Sequence, residues 1–112
     1  MEGVDSAPNT PRRFRGLPVA VLSGGGSVPV ASSRLSRLLG LALLPREATA
    51  GLLIPGCASI HTFGMRFPID VHFLDAQGLT LSVRHAVRPR RVERHRGARS
   101  VLELPSGAGA RT

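Results

Sequence analysis

The sequence predicts an α+β fold that is mostly β, a small barrel-like or strongly curved antiparallel sheet with one short helix near 33–39. Three observations lead there. Short apolar stretches alternating with period two recur along the chain. The 13 Gly and 9 Pro of the 112 residues separate them at spacings that suit tight turns. Only one stretch has helical spacing between a capping serine and a terminating glycine.

In chain order, residues 1–16 read as a flexible tail, polar, Pro-bearing and without apolar periodicity. One compact domain is expected over 17–107, with a second flexible tail at 108–112. Residues 18–22 and 28–31 read as two short strands around a Ser/Gly turn. Ser32 or Ser33 then offers a helix cap, and Leu35, Leu38 and Leu39 follow at helical spacing, with Arg34 and Arg37 on the other side. Gly40 suits the end of such a helix, and Pro45 bars its continuation beyond Leu44. Residues 52–54 form a buried strand stopped by Pro55-Gly56. Residues 69–84 form a hairpin: Ile69, Val71 and Phe73 alternate with Asp70, His72 and Leu74, and Leu79, Leu81 and Val83 resume the pattern after the Asp75–Gly78 turn. Residues 84–99 lack sustained periodicity and read as a solvated loop at a barrel rim, interrupted by Pro89, with Val87 and Val92 able to anchor an extended edge. Residues 100–104 form a last core strand, with Glu103 alternating away from Leu102 and Leu104 toward solvent or an Arg partner. The expected core comprises the leucines of 35–44, residues 52–54, one hairpin face and Val101 to Leu104.

Composition excludes several classes. No apolar run approaches the roughly 18–20 residues of a membrane span. The stretch after Arg12-Arg13 is shorter than the about 7–15 apolar residues of an export signal, so a cytoplasmic location is expected. A single Cys cannot form an intrachain disulfide or a zinc finger. The net charge is +8, carried by 15 Arg and no Lys. An electrostatic binder has no reason to exclude Lys, so the choice of cation reflects a GC-rich coding bias. The distribution is more telling: residues 84–99 carry +6, whereas 61–83 carry −1.

The run Leu52-Leu-Ile-Pro-Gly-Cys57-Ala-Ser-Ile-His61-Thr-Phe-Gly-Met65-Arg-Phe-Pro-Ile-Asp70-Val-His-Phe-Leu-Asp75 resembles the bacterial and archaeal domain of unknown function 192. The element Arg96-Gly-Ala-Arg-Ser-Val-Leu-Glu103-Leu-Pro105 supports the resemblance, and Arg34-Leu-Ser-Arg-Leu-Leu-Gly40 does so more weakly. Together they cover roughly residues 28–107 in the family's order. The resemblance implies a β-rich, barrel-like domain with a short N-terminal helix. It supplies no reaction, cofactor or catalytic residue. His72 departs from an otherwise apolar position.

Two constellations carry chemistry. Cys57, His61 and Met65, at intervals of four, offer the soft donors of a copper site and resemble a blue-copper loop. That site needs a second His, typically upstream, and His61, His72, His85 and His95 all follow Cys57. No metal or cofactor is therefore expected. With Asp70 the same residues form a candidate binding cleft, in which His61 and a carboxylate, or Cys57 and His61, would be the acid–base or thiol pair. The other constellation is a candidate anion-binding set, Arg88, Arg90, Arg91 and Arg94. It lacks stacking aromatics within 84–99, so nucleic acid is the less favoured partner. No catalytic set is complete. The expectation is a small accessory or binding module that presents the 57–66 turn and the 84–99 loop to a partner, a protein in the first instance. An anionic polymer bound by the arginines, or a metal or thiol site at Cys57, His61 and Met65, are the alternatives.

Overall fold

Alternation in the hairpin sets the centre of the molecule. Strands β5 (Ile69–Leu74) and β6 (Thr80–Val87) pair antiparallel, and Ile69, Val71 and Phe73 point into the core with no exposed surface. Asp75 closes the turn, its carboxylate accepting the amides of Gln77 and Leu79 at 2.9 Å each. The structure, a computed structural model, describes residues 10–22, 25–48 and 50–107. The expected tail at 108–112 and residues 1–9 of the expected N-terminal tail lie outside the described residues.

The remaining elements are β1 (Val19–Val21), β2 (Ser27–Pro29), α1 (Arg34–Leu39), β3 (Leu52–Pro55), β4 (Ser59–His61), β7 (Val92–Arg94) and β8 (Ser100–Pro105). Four strands form one antiparallel sheet in the order β3-β8-β5-β6, and β1–β2 and β4–β7 form separate antiparallel ribbons. A parallel bridge from Val30 to Leu53 ties the first ribbon to β3. The barrel expectation holds only in its coarser form. The fold is mostly β and antiparallel with one short helix, but β3 and β6 are opposite edges of the sheet and do not pair. Among the described residues no helix is long and apolar enough to cross a membrane.

Four local expectations are corrected. Within 1–16, residues 10–16 are anchored: Arg12–Phe14 makes a single 3-10 turn and Phe14 fills the core. Residues 84–99 are not one loop. Strand β6 continues to Val87, Pro89 breaks it, and β7 pairs with β4. The α1 helix is capped by Ser33 as the sequence suggests, with Ser33 and Ser36 satisfying each other's amides. Two of its three leucines, however, face outward: Leu35 is 53% and Leu38 67% exposed, while Leu39 is half-buried and Ser36 fully buried. Six residues are too few for the leucine stripe to define a face against tertiary packing, and Leu41, beyond the helix end, supplies the core contact instead. Finally, Glu103 points inward.

One glycine is required by contact. Gly51 adopts φ +147°, and a Cβ there would stand 2.7 Å from the Glu103 carbonyl oxygen and 2.6 Å from Leu104 Cδ2. Only glycine lets the chain entering β3 lie that close to β8.

Candidate functional site

The alternation of β8 places Val101, Glu103 and Pro105 on the buried face, and leaves Ser100, Leu102 and Leu104 half-covered. Glu103 sits opposite Leu52 of β3 and Val71 of β5, and is 3% exposed. Its side chain reaches beneath the end of α1, where the Leu41 amide donates to the carboxylate. Gly40 stands so close that a Cβ would lie 3.1 Å from Glu103 Oε1. That Oε1 has no hydrogen-bond partner. Burial pushes the carboxyl up from its ordinary 4.5 to about 7, against the smaller opposing effect of the Leu41 amide.

Glu103 lies on the wall of a small cleft of about 60 Å³, whose other walls include Arg37, Leu38, Ile54, Cys57 and His61. Cys57 Sγ donates there to the Ser59 carbonyl at 2.9 Å. His61 Nδ1 accepts the Phe63 amide at 3.2 Å, which assigns the ring proton to Nε2, 3.3 Å from the Leu38 carbonyl oxygen that accepts it. Both ring nitrogens are therefore committed. The Arg37 guanidinium at the rim donates to the Pro55 carbonyl at 2.5 Å and more weakly to that of Gly56.

Of the four residues expected to converge, Cys57 and His61 do share this cleft, and Met65 and Asp70 do not. Met65 packs in the core. Asp70 is buried on β5, where its Oδ1 accepts the Ala86 amide at 2.8 Å and its Oδ2 lies 3.7 Å from His85 Nδ1. With 15 Arg in the chain, an Arg would be the ordinary partner for such a strand carboxylate. In the structure Asp70 instead fixes the irregularity in β6 at which Ala86 adopts φ +52°. Among the described residues no three His, Cys, Asp or Glu side chains gather to hold a metal.

The candidate anion-binding residues lie on the neighbouring ribbon. Thr62, fully buried, holds the 88–91 turn from below: its hydroxyl donates to the Arg88 carbonyl at 2.6 Å and accepts the Arg91 amide at 2.8 Å. Its backbone amide donates to the Arg91 carbonyl, and its carbonyl accepts the Arg90 amide. Register then places His61 opposite Val92 and Ser59 opposite Arg94. Arg88, Arg90, Arg91 and Arg94 are all exposed, whereas Arg84 is engaged by Glu93 at 3.3 Å and lies over the Phe73 ring. Phe63 and Val92, each about half exposed, adjoin Thr62 and Arg91 in the chain, and Leu43, also exposed, is tied to the 57–66 segment through its amide and the Gly64 carbonyl. An open groove of about 390 Å³ runs beside them, lined by His85, Ala86, Arg88 and Arg91 among others.

Residues that sequence reasoning missed are Glu103 as an inward group and Thr62 as the organiser. The signal for Glu103 is the pairing of its face with that of Val101. For Thr62 there is none, because its partners are 26 to 29 positions away.

Comparison with known proteins agrees with this architecture. No curated protein matches the chain significantly. A solved protein of unknown function from Novosphingobium aromaticivorans superposes with a TM-score of 0.67 at 18% identity, covering 99% of this chain and 85% of its own. A Sinorhizobium meliloti structure provisionally named a transcription regulator gives a TM-score of 0.65 at 21% identity, covering 83% of this chain and 81% of its own. At these identities the likeness is one of fold. The family model described as uncharacterized ACR, DUF192, matches residues 21–112, and the chain, a small β-rich domain, belongs to that family.

Proposed function

We propose that the chain is a non-catalytic binding module that docks an acidic, partly apolar protein segment on the ledge formed by Phe63, Leu43, Val92 and the arginines at 88, 90, 91 and 94. The observation that carries this reading is the clamp at Thr62. It joins the 57–66 and 88–94 segments into one surface, so four cations are presented on fixed backbone and little backbone entropy remains to be lost on binding. Exposed aliphatic and aromatic groups ringed by Arg have the composition of a protein interface. A nucleic acid would leave Leu43 and Val92 without apolar contacts, and a single aromatic provides little stacking.

Fluorescence anisotropy with a labelled peptide of alternating Glu and Leu, against single-stranded DNA of equal charge, tests the proposal. The peptide is expected to bind, and both Phe63→Ser and the double change Arg88→Ser, Arg91→Ser to weaken it about tenfold or more. Tighter binding of the DNA, or peptide affinity unchanged in both variants, would overturn the reading.

A further inference from the structure

Helix α1 turns a serine inward and two leucines outward. A conflict of this kind between residue type and burial is expected where a surface is kept for contact. Arg34, Leu35 and Leu38 lie at spacings of three and four, so they share the outward face. That face is continuous with the ledge. The Leu38 carbonyl meets His61 Nε2 at 3.3 Å, the His61 and Phe63 rings stand 6.0 Å apart, and a Cβ on Gly64 would lie 3.6 Å from Leu43 Cδ2. Across the β4–β7 ribbon His61 is opposite Val92, and Arg94, two residues on, projects from the same side. Each of these side chains is exposed. A connected apolar strip, unlike scattered exposed leucines, marks a binding surface.

We infer that the docked segment carries acidic groups at both ends of its apolar stretch, one set meeting the arginines of 88–94 and the other Arg34, with the apolar residues between them lying over Phe63, His61 and Leu38. This rests on the ledge reading and extends it across His61 to α1. Charge selects the occupant. Of the described carboxylates, Asp70 and Glu103 are buried, Glu93 is bound to Arg84, and Asp75 is held in the hairpin turn. Glu47 alone is left to stand against Arg34 and the four ledge arginines, all of them exposed. Among the described residues Arg34 makes no ion pair, so its charge is open to a ligand. A second copy of the chain would set these cations against one another and bring almost no acid in return. An acidic segment without an apolar centre would leave Leu38, Leu43 and Phe63 in water, and one acidic at a single end would leave Arg34 unmatched.

The test is fluorescence anisotropy on the full chain with a labelled peptide that has a Leu-rich centre and a Glu pair at each end, and with two forms in which one Glu pair or the other is Gln. Both Gln forms are expected to bind at least about twofold more weakly than the parent, the effect of an exposed ion pair. In Arg34→Ser one of the two replacements should cease to matter, because the cation it met is gone. Leu38→Ser and Leu35→Ser should each weaken the parent peptide about threefold or more. Both positions are exposed, and circular dichroism checks that each variant is folded. Parent affinity unchanged in all three α1 variants, with the double change Arg88→Ser, Arg91→Ser still weakening it, confines the segment to the ledge: the inference falls and the ledge reading stands. Both Gln replacements costing as much in Arg34→Ser as in wild type also overturns the inference. A parent peptide that does not bind, or that is indifferent to the double arginine change, removes the ledge reading and the inference with it. Self-association of the chain that Leu38→Ser abolishes would give the face to a second copy and overturn the inference as well.

Discussion

Glu103 should make the fold less stable as pH rises through the window from about 4.5 to about 7. Its ordinary value is 4.5 and burial raises it to about 7 in the folded chain. Between those values the folded protein holds a proton that the unfolded chain has released, so stability falls with rising pH, and the loss levels off above about 7. The stabilisation is complete below 4.5. A shift of that size corresponds to roughly 3 kcal/mol, at about 1.4 kcal/mol per unit. Other groups titrate in the same window, including His72, which burial pushes down and which therefore acts in the opposite direction. Comparison with Glu103→Gln removes them. The carboxamide can still accept the Leu41 amide but leaves an N–H₂ where Oε1 was, at about 1–3 kcal/mol. The variant should thus be less stable than wild type near pH 5 by about that amount, and equal or more stable near pH 8. Urea unfolding followed by circular dichroism at several pH values measures the difference. A difference that stays flat from pH 5 to pH 8 would refute the reasoning, because it would mean that the carboxyl titrates alike folded and unfolded.

Two further outcomes follow from the packing. Thr62→Val keeps the shape of the side chain but leaves the Arg91 amide and Arg88 carbonyl without their partner, so it should cost about 1–3 kcal/mol and accelerate amide exchange at Arg90 and Arg91, with Thr62→Ser close to wild type. Leu41→Ala should cost about 2–5 kcal/mol, whereas Leu38→Ala, in the same leucine run, should stay within about 0.5 kcal/mol; chemical denaturation of both variants decides whether the outward orientation of α1 is correct.

How much of this was legible depended on whether the determinants were local. The β5–β6 hairpin is readable because one face is wholly apolar and Asp75 makes its own turn. The helix ends are readable because Ser33, Ser36 and Gly40 act within a few residues. The faces of α1 and β8 were not, and for the same reason. Both elements carry leucines on their less buried side, exposed in α1 and half-covered in β8, so hydrophobicity alone selects the wrong inward face. In β8, Leu102 and Leu104 outweigh Val101 in apolar surface, yet the sheet sets Val101 and Glu103 against the core. The cleft inherits that misreading: Cys57 and His61 were found by their spacing, but the carboxyl that joins them is Glu103 and not Asp70.

The position of β8 between β3 and β5 has a consequence for synthesis. Strand β3 leaves the ribosome among the first elements, yet its sheet neighbour is the last strand of the described fold, with Leu52 pairing to Glu103. Until that strand emerges, β3 and β5 each present an open edge, and the strand pairings the tethered chain can hold are β1–β2, then β5–β6 and, once β7 is out, β4–β7. Completion must wait for residue 105, and a ribosome stalled between the two halves would display two unpaired strand edges at once.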